Sequence, residues 1–105
     1  MKRNIKIVVS ASQDEVEALI GNHGAFSECA GFEQELIKVN QRELEDGAKF
    51  HFSMGVSKSI YQALKEVMDS PRYPNKNGKE FQSICSFRNR LAQEHKRQIG
   101  SDINT

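Results

Sequence analysis

Five side chains of this chain could hold a metal ion or carry a proton near neutral pH: His23, Cys29, His51, Cys85 and His95. A metal site gathers several such ligands, and its usual sign in sequence is a close pair such as C-x-x-C or H-x-x-x-H. No such pair occurs. Nucleophilic catalysis needs a nucleophile, a base and a group that orients the base. Cys85 or Cys29 with a histidine supplies the first two in principle. Cys85, however, falls on the apolar stripe of its helix, which is the place of an inert packing thiol. The carboxylates fall on elements that read as solvated, where nothing raises a carboxyl toward acid–base work. Gly21-Asn22-His23-Gly24 reads as a helix stop, since Gly-x-x-Gly alone is a weak phosphate-loop signal. The expectation is a protein without catalytic residues, metal ligands or cofactor.

Charge carries more information. Net charge is only +1, yet the signs are segregated. Residues 12–47 hold nine acids (Asp14, Glu15, Glu17, Glu28, Glu33, Glu35, Glu43, Glu45, Asp46) against Lys38 and Arg42. Residues 71–100 hold seven bases (Arg72, Lys76, Lys79, Arg88, Arg90, Lys96, Arg97) against Glu80 and Glu94. Such asymmetry makes a directional field that steers a charged partner or a second copy of the chain. An isoelectric point near 7.8 argues against a protein that coats nucleic acid in bulk.

The elements that must position these residues follow from periodicity and caps. At 105 residues the chain has the size of one domain, residues 1–105. Asn4 to Ser10 reads as a buried strand, rich in β-branched residues. Ser12-Gln13-Asp14-Glu15 is a capping box that opens a short helix carrying Val16, Leu19 and Ile20 inward, stopped by Gly21 and Gly24. From Ala25 to Leu44 two readings compete. Cys29, Phe32, Leu36 and Val39 fall at helical spacing. Against this, Asp46-Gly47 before the alternating run Lys49 to Met54 signals a hairpin with a strand around Leu36 to Leu44, and this reading is adopted. Ser57 caps a helix to about Asp69. Asn77-Gly78-Lys79-Glu80 is a second capping box, opening a last helix that runs to about Gln98 and ends at Gly100. The expected fold is α+β: a small three-stranded antiparallel sheet with three helices, in the order β-α-β-β-α-α.

On the last helix, Phe81, Ile84, Cys85, Leu91, Ala92 and Ile99 define the apolar stripe. Lys79, Arg90 and Arg97 lie together on the opposite side, able to meet phosphates or an acidic protein face, or else forming an ordinary solvated helix back. Arg88 and His95 stand inside the apolar stripe. There they either dock a partner or pair within the chain with an acid of the first half. The loop Pro71-Arg72-Tyr73-Pro74-Asn75-Lys76 combines bases with an aromatic, a composition suited to a protein hot spot or to stacking with phosphate contact. Its plainer reading is a proline-stiffened connector whose tyrosine covers the core edge.

Gly55-Val56-Ser57-Lys58-Ser59-Ile60-Tyr61-Gln62-Ala63-Leu64 resembles the closing part of a double-stranded-RNA-binding domain. The resemblance implies a phosphate contact by Lys58 at the helix start. Ser59 and Gln62 stand where that family carries further bases, a strand precedes the first helix, and a third helix follows.

The expected function is that of a small non-catalytic interaction or regulatory protein, binding a protein partner or itself. The contact residues are Arg72, Tyr73, Lys76, Lys79, Arg88, Arg90, His95 and Arg97, and reversing Arg90 and Arg97 is expected to weaken the complex without unfolding the domain. The alternative is a nucleic-acid module using Lys58, Lys79, Arg90 and Arg97 with the 71–79 loop. No apolar run is long enough to cross a membrane, so no membrane partner is expected. With no export signal and two distant cysteines, the expected location is cytoplasmic.

Overall fold

A computed structural model describes residues 6–26, Phe32, Leu36, 48–71, 73–74, 78–100 and Ile103. Strand β1 (Lys6–Ala11) runs into helix α1 (Gln13–Ile20), which is followed by a 3-10 turn at His23–Phe26. Strand β2 (Ala48–Ser53) passes directly into helix α2 (Met54–Met68), and helix α3 (Lys79–Ile99) is the last described element. The fold is α+β; among the described residues it has three helices of defined bounds and a two-stranded antiparallel sheet.

The strand expected around Leu36 to Leu44 lies outside the described residues except at its first position. Leu36 is helical and buried, as is Phe32 one turn before it. At these two positions the helical spacing prevails over the hairpin reading. The partner of β2 among the described residues is β1, in the register Lys6↔Ser53 to Ala11↔Ala48.

The caps explain most element boundaries. The Ser12 hydroxyl accepts from the Glu15 amide while Glu15 accepts from the Ser12 amide, so the first capping box forms as read. Helix α2 starts earlier than expected. Its N-cap is Ser53, whose Oγ accepts from the Val56 amide, and this moves Ser57 from the cap into the first turns. The second capping box does not form: Gly78 is the N-cap of α3 and has no side chain to accept a bond. Gly100 ends α3 at φ 89°, a left-handed conformation that glycine adopts without a Cβ clash.

Two strands cannot bury enough surface to stand alone. Ile7, Val9, Ala11 and Phe50 turn one face inward, while Ser10, Lys49, His51 and Ser53 stay exposed on the other. The buried face meets the helices through a chain of edge-to-face aromatic contacts. Phe26 meets Phe32 at 5.0 Å, Phe32 meets Phe50 at 5.4 Å, and Phe50 meets Phe87 at 6.2 Å between ring centroids. This geometry sets positive ring edges against negative faces. It joins the 3-10 turn, Phe32, β2 and α3 in one core.

The outer edge of β1 is closed by side chains of α3. Residues of an antiparallel strand direct their backbone groups alternately toward the partner strand and away from it. Val8 and Ser10 direct theirs away. Gln98 accepts from the Val8 amide at 3.0 Å and donates to the Val8 carbonyl at 2.9 Å, so its amide stands where a neighbouring strand's peptide would. Arg90 donates to the Ser10 carbonyl at 3.0 Å. An open edge is a template for pairing with another chain, and here it is covered. Replacing Gln98 by Leu leaves both Val8 groups unmatched. The expected cost is about 1–3 kcal/mol, read as a lower urea midpoint at unchanged slope. An unchanged midpoint would show that the edge contact contributes nothing.

Candidate functional site

The expected contact residues separate into three groups. Arg72 and Lys76 lie outside the described residues. Tyr73 is buried rather than exposed: its ring packs on Phe81 at 5.9 Å, and its hydroxyl accepts from Asn22 at 2.7 Å. Its plainer reading, a cover on the core edge, is what the geometry shows. The bases of α3 form the third group, and the fold distributes them differently from a helical wheel.

Arg90 is spent inside the fold. Beyond Ser10 it reaches the Glu15 carboxylate, which is 3% exposed. Burial pushes the Glu15 carboxyl up, but the Ser12 amide and the Arg90 guanidinium outweigh it and hold it below the usual carboxylate range. The intramolecular pair with a first-half acid that was weighed for Arg88 belongs to Arg90. Charge reversal at Arg90 would set a second carboxylate beside that of Glu15, so its effect on binding is coupled to an effect on stability. Arg97 pairs with exposed geometry to Glu94 one turn back. Lys79 lies 3.6 Å from Asp14 with most of its side chain in water. Asp14, Glu17 and Glu80 line a shallow cleft of about 350 Å³ with Ala18, Lys79 and Ser83, between α1 and the start of α3.

His95 is fully buried, and its Nδ1 lies 2.9 Å from the Oγ of Ser57, also fully buried. A serine beside a histidine has the look of a nucleophile and its base, but neither atom is open to a substrate. The pair ties the start of α2 to the end of α3. The other ring nitrogen, Nε2, is buried with no hydrogen-bond partner. Burial lowers the His95 pKa, and the charge of Lys58 lowers it further.

Arg88 remains. Its guanidinium carbon lies 3.8 Å above the centroid of the Tyr61 ring, and its Nε donates to the Tyr61 carbonyl at 3.4 Å. Both partners are uncharged, and Arg88 lies half-buried at the surface. Ser57 against His95 and Tyr61 against Arg88 show α2 and α3 running antiparallel. Lys58, Tyr61 and Lys65 follow one line on α2 at i, i+3, i+7, and Cys85, Arg88, Ala92 and Lys96 follow one line on α3. The two lines flank a seam whose floor is the half-buried Tyr61, Cys85 and Ala92, packed on the core. The two acids of α3 are turned elsewhere, Glu94 toward Gln98 and Arg97 and Glu80 to the cleft. Asp69, the C-cap of α2, stands at the far end.

Sequence reading named Lys58 and Arg88 but missed the seam, and it gave the outward-facing Lys65 no role. The available signal was the placement of bases two turns apart on one face of each of two consecutive helices, Lys58 with Lys65 and Arg88 with Lys96. Compared with protein-family models, curated proteins and solved structures, the chain matches none of them.

Two outcomes follow for stability. Arg90→Met strands the Glu15 carboxylate. Because 35% of the Arg90 side chain is in water, the expected loss is discounted to about 2–3 kcal/mol, whereas Arg97→Met leaves the urea midpoint where it was. Equal effects at the two sites would remove the buried pair from this account. The second outcome concerns pH. His95 binds its proton more weakly folded than unfolded, so protons favour the unfolded chain. Stability is therefore full above the usual histidine value of 6.5 and falls as pH drops below it, by at most about 1.4 kcal/mol per pH unit. His95→Gln should abolish that limb and keep the separate loss below 4.5, where Glu15 and Glu94 take up protons. A limb that survives in His95→Gln belongs to another group.

Proposed function

We propose that this chain is a small non-catalytic interaction protein that binds a protein partner through the seam between α2 and α3. The observation that carries the reading is Arg88. It is the base of α3 that lies at the surface with a ring and a carbonyl for neighbours, while Arg90 and Arg97 each meet a carboxylate. A tyrosine stacked with an arginine, half in water and set on a packed floor, is the composition of an interface hot spot. The lysines along both lines add a field that speeds encounter with an acidic surface.

The alternative is phosphate contact by a nucleic acid through Lys58, the 71–79 loop and the last helix. It keeps Lys58 and the exposed Lys79 as outward bases, and it predicts affinity that falls steeply with salt. A salt titration with duplex RNA and duplex DNA separates the two readings.

Affinity capture from cells of the source provides the main test. The wild-type chain, a Lys58→Glu/Lys65→Glu variant and an Arg97→Glu variant are used side by side, each checked for fold by circular dichroism. A partner retained by the wild type and by Arg97→Glu, and lost with the seam variant, is the expected result. A captured set that is unchanged by charge reversal in the seam would sink this reading.

A further inference from the structure

We infer that the outer edge of β2 is a docking site for an extended segment of a partner protein, one that adds a strand to the sheet and carries acidic side chains at alternate positions. The surroundings of β1 show which backbone groups that segment would meet. Gln98 takes both the amide and the carbonyl of Val8, and Arg90 takes the carbonyl of Ser10, so these two residues turn their backbone groups away from β2. Val8 stands opposite His51, and Ser10 opposite Lys49. Opposite residues of an antiparallel ladder either exchange both their hydrogen bonds or direct both outward. His51 and Lys49 therefore direct theirs to the far side of β2. Among the described residues no strand lies there, and no group bonds to those two amides and two carbonyls. The sheet is closed by α3 along one edge and open along the other. Such an edge takes an extended chain through main-chain hydrogen bonds, and side chains at alternate positions set the preference.

The side chains of β2 choose the occupant. An added antiparallel strand sets one residue directly against Lys49 and another, two positions away, against His51. Both side chains are exposed on the outer face of the sheet, together with Ser10 and Ser53. Among the described residues that face holds no acid, and no ion pair engages Lys49 or His51. Opposite charges across a strand pair attract, and like charges repel. An acidic segment fits. A second copy of β2 does not, because two-fold pairing would gather two lysines and two histidines on one face. A lysine on an edge is itself a guard against pairing with a like strand. The positions between the acids turn to the face of the buried Phe50, where apolar side chains extend the core.

The test uses the full chain and short peptides of alternating Glu and Val, with a Lys–Val counterpart, followed by amide hydrogen exchange and NMR titration. The amides of Lys49 and His51 should exchange fast in the free chain and slow down with the Glu–Val peptide. In that peptide the Glu residues direct their backbone groups to β2, so N-methylation of the Glu residues should abolish binding, and N-methylation of the Val residues should leave it. Lys49→Glu/His51→Glu, checked for fold by its urea midpoint, should bind the Glu–Val peptide about tenfold more weakly and gain binding of the Lys–Val peptide. Slow exchange of both amides in the dilute free chain would show the edge filled by the chain itself and overturn the inference. Slowing that grows with protein concentration would assign the edge to a second copy and overturn it too. So would no binding, equal binding of the two peptides, or tolerance of N-methylated Glu. The seam variant Lys58→Glu/Lys65→Glu should bind the Glu–Val peptide as the wild type does, so the β2 edge and the seam stand or fall separately.

Discussion

The contact between Glu15 and Arg90 holds the architecture in register. Glu15 closes the capping box of α1 and receives the guanidinium of α3 on the same carboxylate oxygen. That guanidinium also holds the Ser10 carbonyl at the end of β1. One ion pair therefore fixes where the first helix starts, how far the strand runs, and which flank of the long helix faces both. A buried carboxylate is tolerated only when it is paired and hydrogen-bonded, so the three elements cannot slide past one another without stranding a charge.

From this constraint follows the use of α3 on two flanks. Arg90, Glu94 and Gln98 recur at i, i+4, i+8, one row directed at the open edge of β1. Gln98 substitutes for the missing strand at Val8, and Glu94 holds Gln98 and Arg97 in turn. The same helix turns Phe87, Leu91 and His95 into the core and Arg88 toward α2. A helix bounded by a strand edge on one side and another helix on the other needs a buried arc wider than its apolar stripe. Polar side chains fill the difference because a strand's backbone must be matched by donors and acceptors.

The division of bases explains why the charge asymmetry of the chain does not produce a uniformly basic face. Part of the basic half neutralises part of the acidic half within the fold, through Glu15 with Arg90 and more loosely Asp14 with Lys79. Arg88 instead meets the ring and carbonyl of Tyr61 between α2 and α3, where Ser57 also meets the buried His95. The neutral ring of His95 beneath Lys58 is consistent with a surface whose outward charge is positive, because a second charge below would oppose it.

The sequence alone determined much of the local structure. The capping box at Ser12, the left-handed stop at Gly100, the alternation of β2 and the apolar stripe of α3 all depend on neighbours a few residues away, and each was legible. The start of α2 at Ser53 was missed because two serines, Ser53 and Ser57, both suit a cap and only the direct passage of β2 into the helix chooses between them. The helical state of Leu36 opposed a hairpin signal that depends on turn residues alone. The partners of Tyr73, Arg90 and Gln98 were illegible for one reason: they lie on elements distant in sequence, namely Asn22, Glu15 and the backbone of Val8. The seam was illegible for the same reason. Helical spacing places Lys58, Tyr61 and Lys65 in one row and Cys85, Arg88 and Lys96 in another, but only the antiparallel packing of α2 on α3 makes the two rows one surface. Local propensity acts over one helical turn, whereas which charges are spent and which remain is settled by long-range packing.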